Sequence, residues 1–190
     1  MRKIVNATYM TLDGDISNMA DWHFDYFGDQ AIAAARAQLF SSDALIMGRE
    51  TYDGFSEAWS ARAGVDDFAD RINAMTKYVA STTLTDPKWN NTTVLDGDLV
   101  EQVRKLKEQP GENILQYGFG SVTQLLLDHD LVDEVRIWLH PVLSGKAKPS
   151  ELLYRDAIQT RFTLNDIETH DTGVIILSYT PAKRDSGTQA

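Results

Sequence analysis

Cysteine is absent from the 190 residues, which excludes disulfides, thiolate zinc sites, iron–sulfur clusters and a cysteine nucleophile. Positive charge is scarce: 18 Lys and Arg stand against 28 Asp and Glu, a formal charge of -10. Not one Lys or Arg lies between Ile4 and Ala35. Such a surface repels phosphate backbones and anionic lipid, so neither nucleic acid nor a membrane is an expected partner. Any phosphate has to be gripped locally, by helix N-termini and a few chosen cations. Long apolar runs are missing too, none approaching the ~18 residues of a membrane span. The N-terminal stretch turns polar by Thr11 and Asp13, too early for a signal peptide, and the expected compartment is the cytoplasm.

What is present is an ordinary globular composition, 43% apolar and 24% charged, on a chain of a length that suits one domain. The expected division is a single domain over 1–181 and a flexible tail over 182–190, which lacks apolar anchors. Apolar patterning predicts strands over 3–10, 44–47, 77–81, 92–95, 113–117, 134–140, 161–169 and 174–180. Helical spacing of apolar residues predicts helices over 30–40, 67–75, 99–107 (with Asp98 as N-cap) and 121–129. Parallel βαβ units come first and antiparallel strands last. The fold class is therefore α/β, a mostly parallel central sheet with an antiparallel C-terminal hairpin on one edge.

Ligands of open α/β sheets bind beyond the carboxyl ends of strands, and three strand-to-helix junctions carry the relevant residue types. In Gly48-Arg49-Glu50-Thr51 a glycine permits close backbone approach and is followed by a cation and a hydroxyl; free N–H groups at such a turn bind phosphate. The same residues also suit a tight turn with Arg49 in a surface ion pair. Ser81, Thr82 and Thr83 follow a buried strand and can donate to a phosphate or ribose, or simply cap a turn. In Gly118-Phe119-Gly120-Ser121-Val122 two glycines lead into a helix, an arrangement fit for a pyrophosphate or for a packing turn. It is not a dinucleotide fingerprint, since Thr123 stands where the third glycine belongs.

In combination, the GRxT, hydroxyl-rich and GxGS junctions resemble the dihydrofolate-reductase-like fold, a three-layer domain. Within it the chain is most similar to the family of the C-terminal reductase domain of the riboflavin-biosynthesis bifunctional deaminase/reductase. The opening KIVNATYMTLDG resembles that family's first strand and its "SLDG" element, and Leu131-Val132-Asp133-Glu134-Val135-Arg136 with His140-Pro141-Val142 is similar to its "LVDEhR…hPV" segment. The resemblance implies an NADPH-dependent reductase. It places Gly48, Arg49, Thr51, Gly118, Gly120, Ser121 and Val122 about the cofactor's phosphates, and Ser81 and Thr82 at its 2′-phosphate. Arg49, the one basic residue in the three junctions, is assigned to the 2′-phosphate as well. The family's glycine-rich stretch after "hPV" is altered over 143–153, where Ala147 replaces a glycine, so whether this loop lines the site is open.

On the substrate side, the resemblance to dihydrofolate reductases implies a carboxylate after the first loop. Asp25 and Asp29 are the candidate catalytic proton sources, expected to be desolvated among Trp22, Phe24 and Phe27; as helix-end charges they have an equally simple explanation. Asp13, Trp22 and Phe27 are candidate substrate contacts, with core packing as the alternative for the aromatics. Five aspartates and no base in this stretch favour a neutral or cationic acceptor. His129 and His140 read as structural and His23 and His170 as isolated; no histidine pair has metal-ligand spacing, so no metal is expected. The leading function is hydride transfer from NADPH to a small pteridine- or imine-like heterocycle. The alternatives are the 5-amino-6-(5-phosphoribosylamino)uracil reductase of riboflavin biosynthesis and, in another class, an NADP-binding protein without turnover. Strands 135–139 and 174–177 are apolar on both faces; together with the family's habit of pairing through this region, that predicts a homodimer.

Overall fold

Residues 1–154 and 159–183 are described by the computed structural model. In chain order the elements are β1 (Ile4–Thr11), α1 (Asp29–Phe40), β2 (Ser42–Gly48), α2 (Arg49–Ser60), α3 (Asp67–Ala74), β3 (Thr76–Ala80), β4 (Thr92–Leu95), α4 (Leu99–Glu108), β5 (Asn113–Tyr117), α5 (Ser121–Asp128), β6 (Glu134–His140), β7 (Phe162–Thr169) and β8 (Ile175–Pro181). The strands form one sheet in the order β4-β3-β2-β5-β1-β6-β8-β7. Pairing is parallel from β4 to β6 and antiparallel for β6 with β8 and β8 with β7.

The central strands bury both faces, which is why they read as continuous apolar runs. Ile4, Ala44, Ile46 and Ile114 face one way, against Val103 and Leu106 of α4 and Leu126 of α5. Val5, Leu45, Met47 and Leu115 face the other way, against Leu39 of α1, Tyr52 of α2 and Ile72 of α3. Trp138 and Ile176 extend that second face onto Ala31 and Ala35 of α1. The result is the expected three layers, α1–α3 on one side of the sheet and α4–α5 on the other. Asp98 caps α4 by accepting the N–H of Glu101, and Asp66 caps α3 by accepting that of Ala69.

One element goes beyond the sequence reading: the turn at Gly48–Thr51 opens a twelve-residue helix, α2, where no helix is predicted. Gly54 weakens its intrinsic propensity, but Tyr52, Phe55 and Trp59 all pack into the same apolar cluster, and tertiary burial prevails over propensity. The expected antiparallel hairpin closes one edge of the sheet, with β8 between β6 and β7 and β7 outermost. The tail expected over 182–190 lies outside the described residues from 184 onward. Among the described residues no helix is long and apolar enough to cross a membrane.

Candidate active site

Strands β3, β2 and β5 are neighbours, so the three sequence junctions sit side by side at one end of the sheet. The helices that follow β2 and β5 pack on opposite faces, which opens a crevice between the two turns, the usual ligand position in such sheets. The first and third junctions nearly touch: a Cβ placed on Gly48 would stand 3.4 Å from Val122 Cγ2. Gly48 and Gly120 are the N-caps of α2 and α5 and neither helix start has a side-chain cap, so first-turn N–H groups of both helices remain for an anion. Gly118 has φ +78°, a conformation side chains rarely adopt, and a Cβ on Gly118 or Gly120 would enter open space. Thr123, in place of a third glycine, ties this turn together. Its hydroxyl accepts the Gly120 N–H at 3.4 Å and donates to the Gly118 carbonyl at 3.4 Å.

Arg49 projects from the first turn of α2, exposed, with Nε donating to both oxygens of Asp53 at 2.8 and 2.9 Å. The Ser81 hydroxyl accepts the N–H groups of Thr83 and Leu84 and lies 3.4 Å from the Thr83 hydroxyl. Thr82 is exposed beside it.

Next to this cradle, on the α1–α3 face, lies a cavity of about 570 Å³. Tyr9 at the end of β1 and Tyr117, the residue before Gly118, line it together with Phe24, Phe27, Phe55, Trp59 and Phe68. Its charged residues come as pairs, Arg36 with Asp67 and Arg62 with Asp66. Burial raises the phenol of Tyr9 well above its ordinary value and, in the same way, that of Tyr117 to about 12, so both stay neutral hydroxyls.

Of the candidate substrate contacts, Phe27 alone lines this cavity. Trp22 is buried behind it, its ring against those of His23 and His140. Asp13 is turned away to clasp the loop 143–153: it accepts the Thr11 hydroxyl and the N–H groups of Ser144 and Gly145. These bonds, the Thr11 hydroxyl foremost, hold its carboxyl down at about 2. That loop closes over the acidic segment from the far side, with Lys146 paired to Asp21 at 3.1 Å and Leu152 bridged to Asp15. Asp25 and Asp29 are exposed and neither lines the cavity. The desolvation expected for them is absent because each sits at the outer end of a short helical turn or of α1. The expected negative field over the pocket is corrected likewise: none of the five aspartates between Ile4 and Ala35 lines it.

His23 is not isolated: its Nδ1 lies 3.0 Å from Nε2 of His140, and both rings are buried. The residues are 117 apart, and nothing short of the pairing of β1 with β6 brings them together. His170 is buried with Nε2 at 2.9 Å from Glu168, while His129 is exposed at the end of α5. Among the described residues no cluster of three His, Asp or Glu side chains is disposed to hold a metal ion.

The sequence model of the RibD C-terminal domain family matches residues 2–176, a span that contains every junction described above. The chain belongs to the RibD C-terminal domain family. Among its relatives, the uncharacterized protein YyaP of Bacillus subtilis strain 168 is 27% identical over 184 residues, 94% of each chain. A protein of Shewanella sp. PV-4 named for riboflavin biosynthesis superposes with a TM-score of 0.71 at 21% identity, over 95% of this chain and 99% of that one. The diaminohydroxyphosphoribosylaminopyrimidine deaminase/5-amino-6-(5-phosphoribosylamino)uracil reductase of Thermotoga maritima does so with a TM-score of 0.64 at 16% identity, over 95% of this chain and 57% of that one. The structural likenesses establish the shared dihydrofolate-reductase-like fold.

Proposed function

We propose that this RibD C-terminal family member is an NADPH-dependent reductase that delivers a hydride to a small, flat, uncharged heterocycle of pteridine- or imine-like kind, working in the cytoplasm as a homodimer. The observation that carries the reading is the contact between two uncapped helix starts, at Gly48 and Gly120, beside an aromatic cavity whose charged residues are mutually paired. The space a Cβ would take at Gly118 and Gly120 suits a pyrophosphate against the first turns of α2 and α5. Thr51, Ser121 and the backbone of Val122 surround the same place, and Arg49 with Ser81 and Thr82 takes the 2′-phosphate. NADPH, when bound, supplies the hydride. The protein's contribution is to hold the acceptor flat between aromatic rings, exclude water and leave no unpaired charge against it.

The wall also weighs against a phosphate-bearing acceptor, because its two arginines are matched by two aspartates of the same wall, Asp66 and Asp67, and it offers an anion no net positive charge. The uracil reductase of riboflavin biosynthesis remains the second reading, favoured by the family and by the Thermotoga relative. The deciding experiment mixes the purified protein with NADPH and follows cofactor fluorescence, then reduced-nicotinamide absorbance across a panel of pteridines, imines and the phosphoribosylaminouracil. Enhancement followed by oxidation with an uncharged heterocycle supports the leading reading, and oxidation with the phosphorylated uracil alone selects the second. Enhancement with no oxidation leaves an NADP-binding protein without turnover, and no enhancement at all rejects the cofactor.

A further inference from the structure

The buried histidine pair fixes its own protons. A carbonyl can only accept, so His140 Nδ1, at 2.9 Å from the Trp138 oxygen, carries a hydrogen. In a neutral ring that leaves His140 Nε2 as the acceptor, and the hydrogen between the two rings belongs to His23 Nδ1. His23 Nε2 is then a bare lone pair. His23 is 4% exposed and lines the 570 Å³ cavity, and no partner for this nitrogen stands among the described residues. An acceptor on the wall of an otherwise aromatic cavity offers a flat ligand that carries an N–H one directional contact.

We propose that His23 anchors the acceptor substrate, its Nε2 receiving a hydrogen bond from a ring N–H of a flat, uncharged heterocycle, and that His140 is the positioning residue that locks the required tautomer. The proposal deepens the reductase reading by naming what its substrate must carry. Burial, and next the neighbouring His140, hold His23 down at about 4, so the lone pair is present at neutral pH. The groups facing the pair leave that unchanged: the ring of Tyr26 from the turn before α1 packs edge-on against His140, Tyr9 from β1 is a neutral phenol, and across the cavity stand Tyr117 and the two internally paired arginines.

The test uses the full chain, with and without NADPH, and two probes, pteridine-2,4-dione and its 1,3-dimethyl derivative, which lacks the ring N–H. In ¹⁵N spectra of the imidazoles, His23 is expected to carry its proton on Nδ1, and Nε2 to move toward a hydrogen-bonded position with the parent probe but not with the dimethyl one. The parent is expected to bind at least about tenfold more tightly. His23→Asn, which keeps an N–H toward His140 and removes Nε2, brings that ratio close to one. His140→Phe turns His23 into a tautomer mixture and reduces the ratio. Equal affinities in the unaltered chain, an unchanged ratio in His23→Asn, or no binding of either probe overturns the proposal; should either variant fail to fold, the Nε2 shift in the unaltered chain decides. A surviving probe contrast with no NADPH binding would instead sink the reductase reading and leave the His23 assignment standing.

Discussion

Arg49 Nε is occupied by Asp53 one helical turn on, in a pair about half exposed on both sides. Such pairs are worth little, so the guanidinium can exchange Asp53 for a phosphate at small cost. Arg49→Ala is expected to weaken NADPH by roughly ten- to hundredfold, the loss of one charge-assisted contact, and to leave NADH nearly unchanged. Fluorescence titration with both cofactors checks it, and equal weakening would return Arg49 to a helix-surface ion pair. The histidine pair makes a separate prediction about stability. Burial lowers His23 to about 4 and His140 below its ordinary value, so below pH 6.5 the unfolded chain takes up protons that the fold refuses. The pair's contribution to stability is therefore flat above pH 6.5 and falls as pH drops toward 4. Asp13 adds its own loss only from its usual 3.8 downward, as pH falls toward about 2. Urea unfolding at a series of pH values should show the upper slope in the unaltered chain and a shallower one in His23→Asn; an unchanged slope would place the proton uptake elsewhere.

At the scale of elements, α2 is the piece least legible from sequence and the one on which the site leans. It starts at the Gly48 turn and ends with Trp59 in the cavity wall. Asp53, Gly54 and Ser56 all favour other conformations than helix, and only the packing of Tyr52, Phe55 and Trp59 against the sheet and α3 makes the segment helical throughout. Gly54 pays the entropy of a mid-helix glycine, and a Cβ there would meet nothing within 4 Å. Gly54→Ala is thus expected to stabilise the protein by about 0.5–1 kcal/mol, a rise in melting temperature of roughly 1–4 °C. A lower melting temperature would show that the helix needs the glycine. By contrast the bounds of β4, β5 and β6 coincide with those read from the sequence; in β5 the run from Ile114 to Gln116 is buried throughout, the continuous pattern of a central parallel strand.

For the whole molecule, the sheet leaves an open margin. β7 is exposed along its entire length, with Phe162, Leu164 and Ile167 at 40, 44 and 53% exposure. Beside it runs a groove of about 630 Å³ lined by Met10, Phe119, Leu153, Tyr154, Leu177 and Tyr179. An edge strand of eight residues and an apolar groove together invite cover, and a second copy of the chain is the proposed cover. Light scattering at micromolar concentration should give twice the chain mass, and Ile167→Lys should halve it while leaving the circular dichroism intact. A monomer before substitution would refute the pairing.

Local pattern alone determined the strand-rich α/β class, the cap at Asp98, and the three junctions with Gly48, Ser81 and Gly118, because each depends on neighbours a few residues away. The family's order of motifs added the cofactor assignment. Tertiary structure decided the rest. Strand order placed β8 inside and β7 at the edge and turned Asp13 onto a loop some 130 residues distant, while Asp25 and Asp29 came to lie exposed, outside the cavity lining. It also joined His23 to His140 across 117 residues. Contacts of that separation are set by which strands pair and which faces they bury, a property of the assembled sheet that no window of sequence contains.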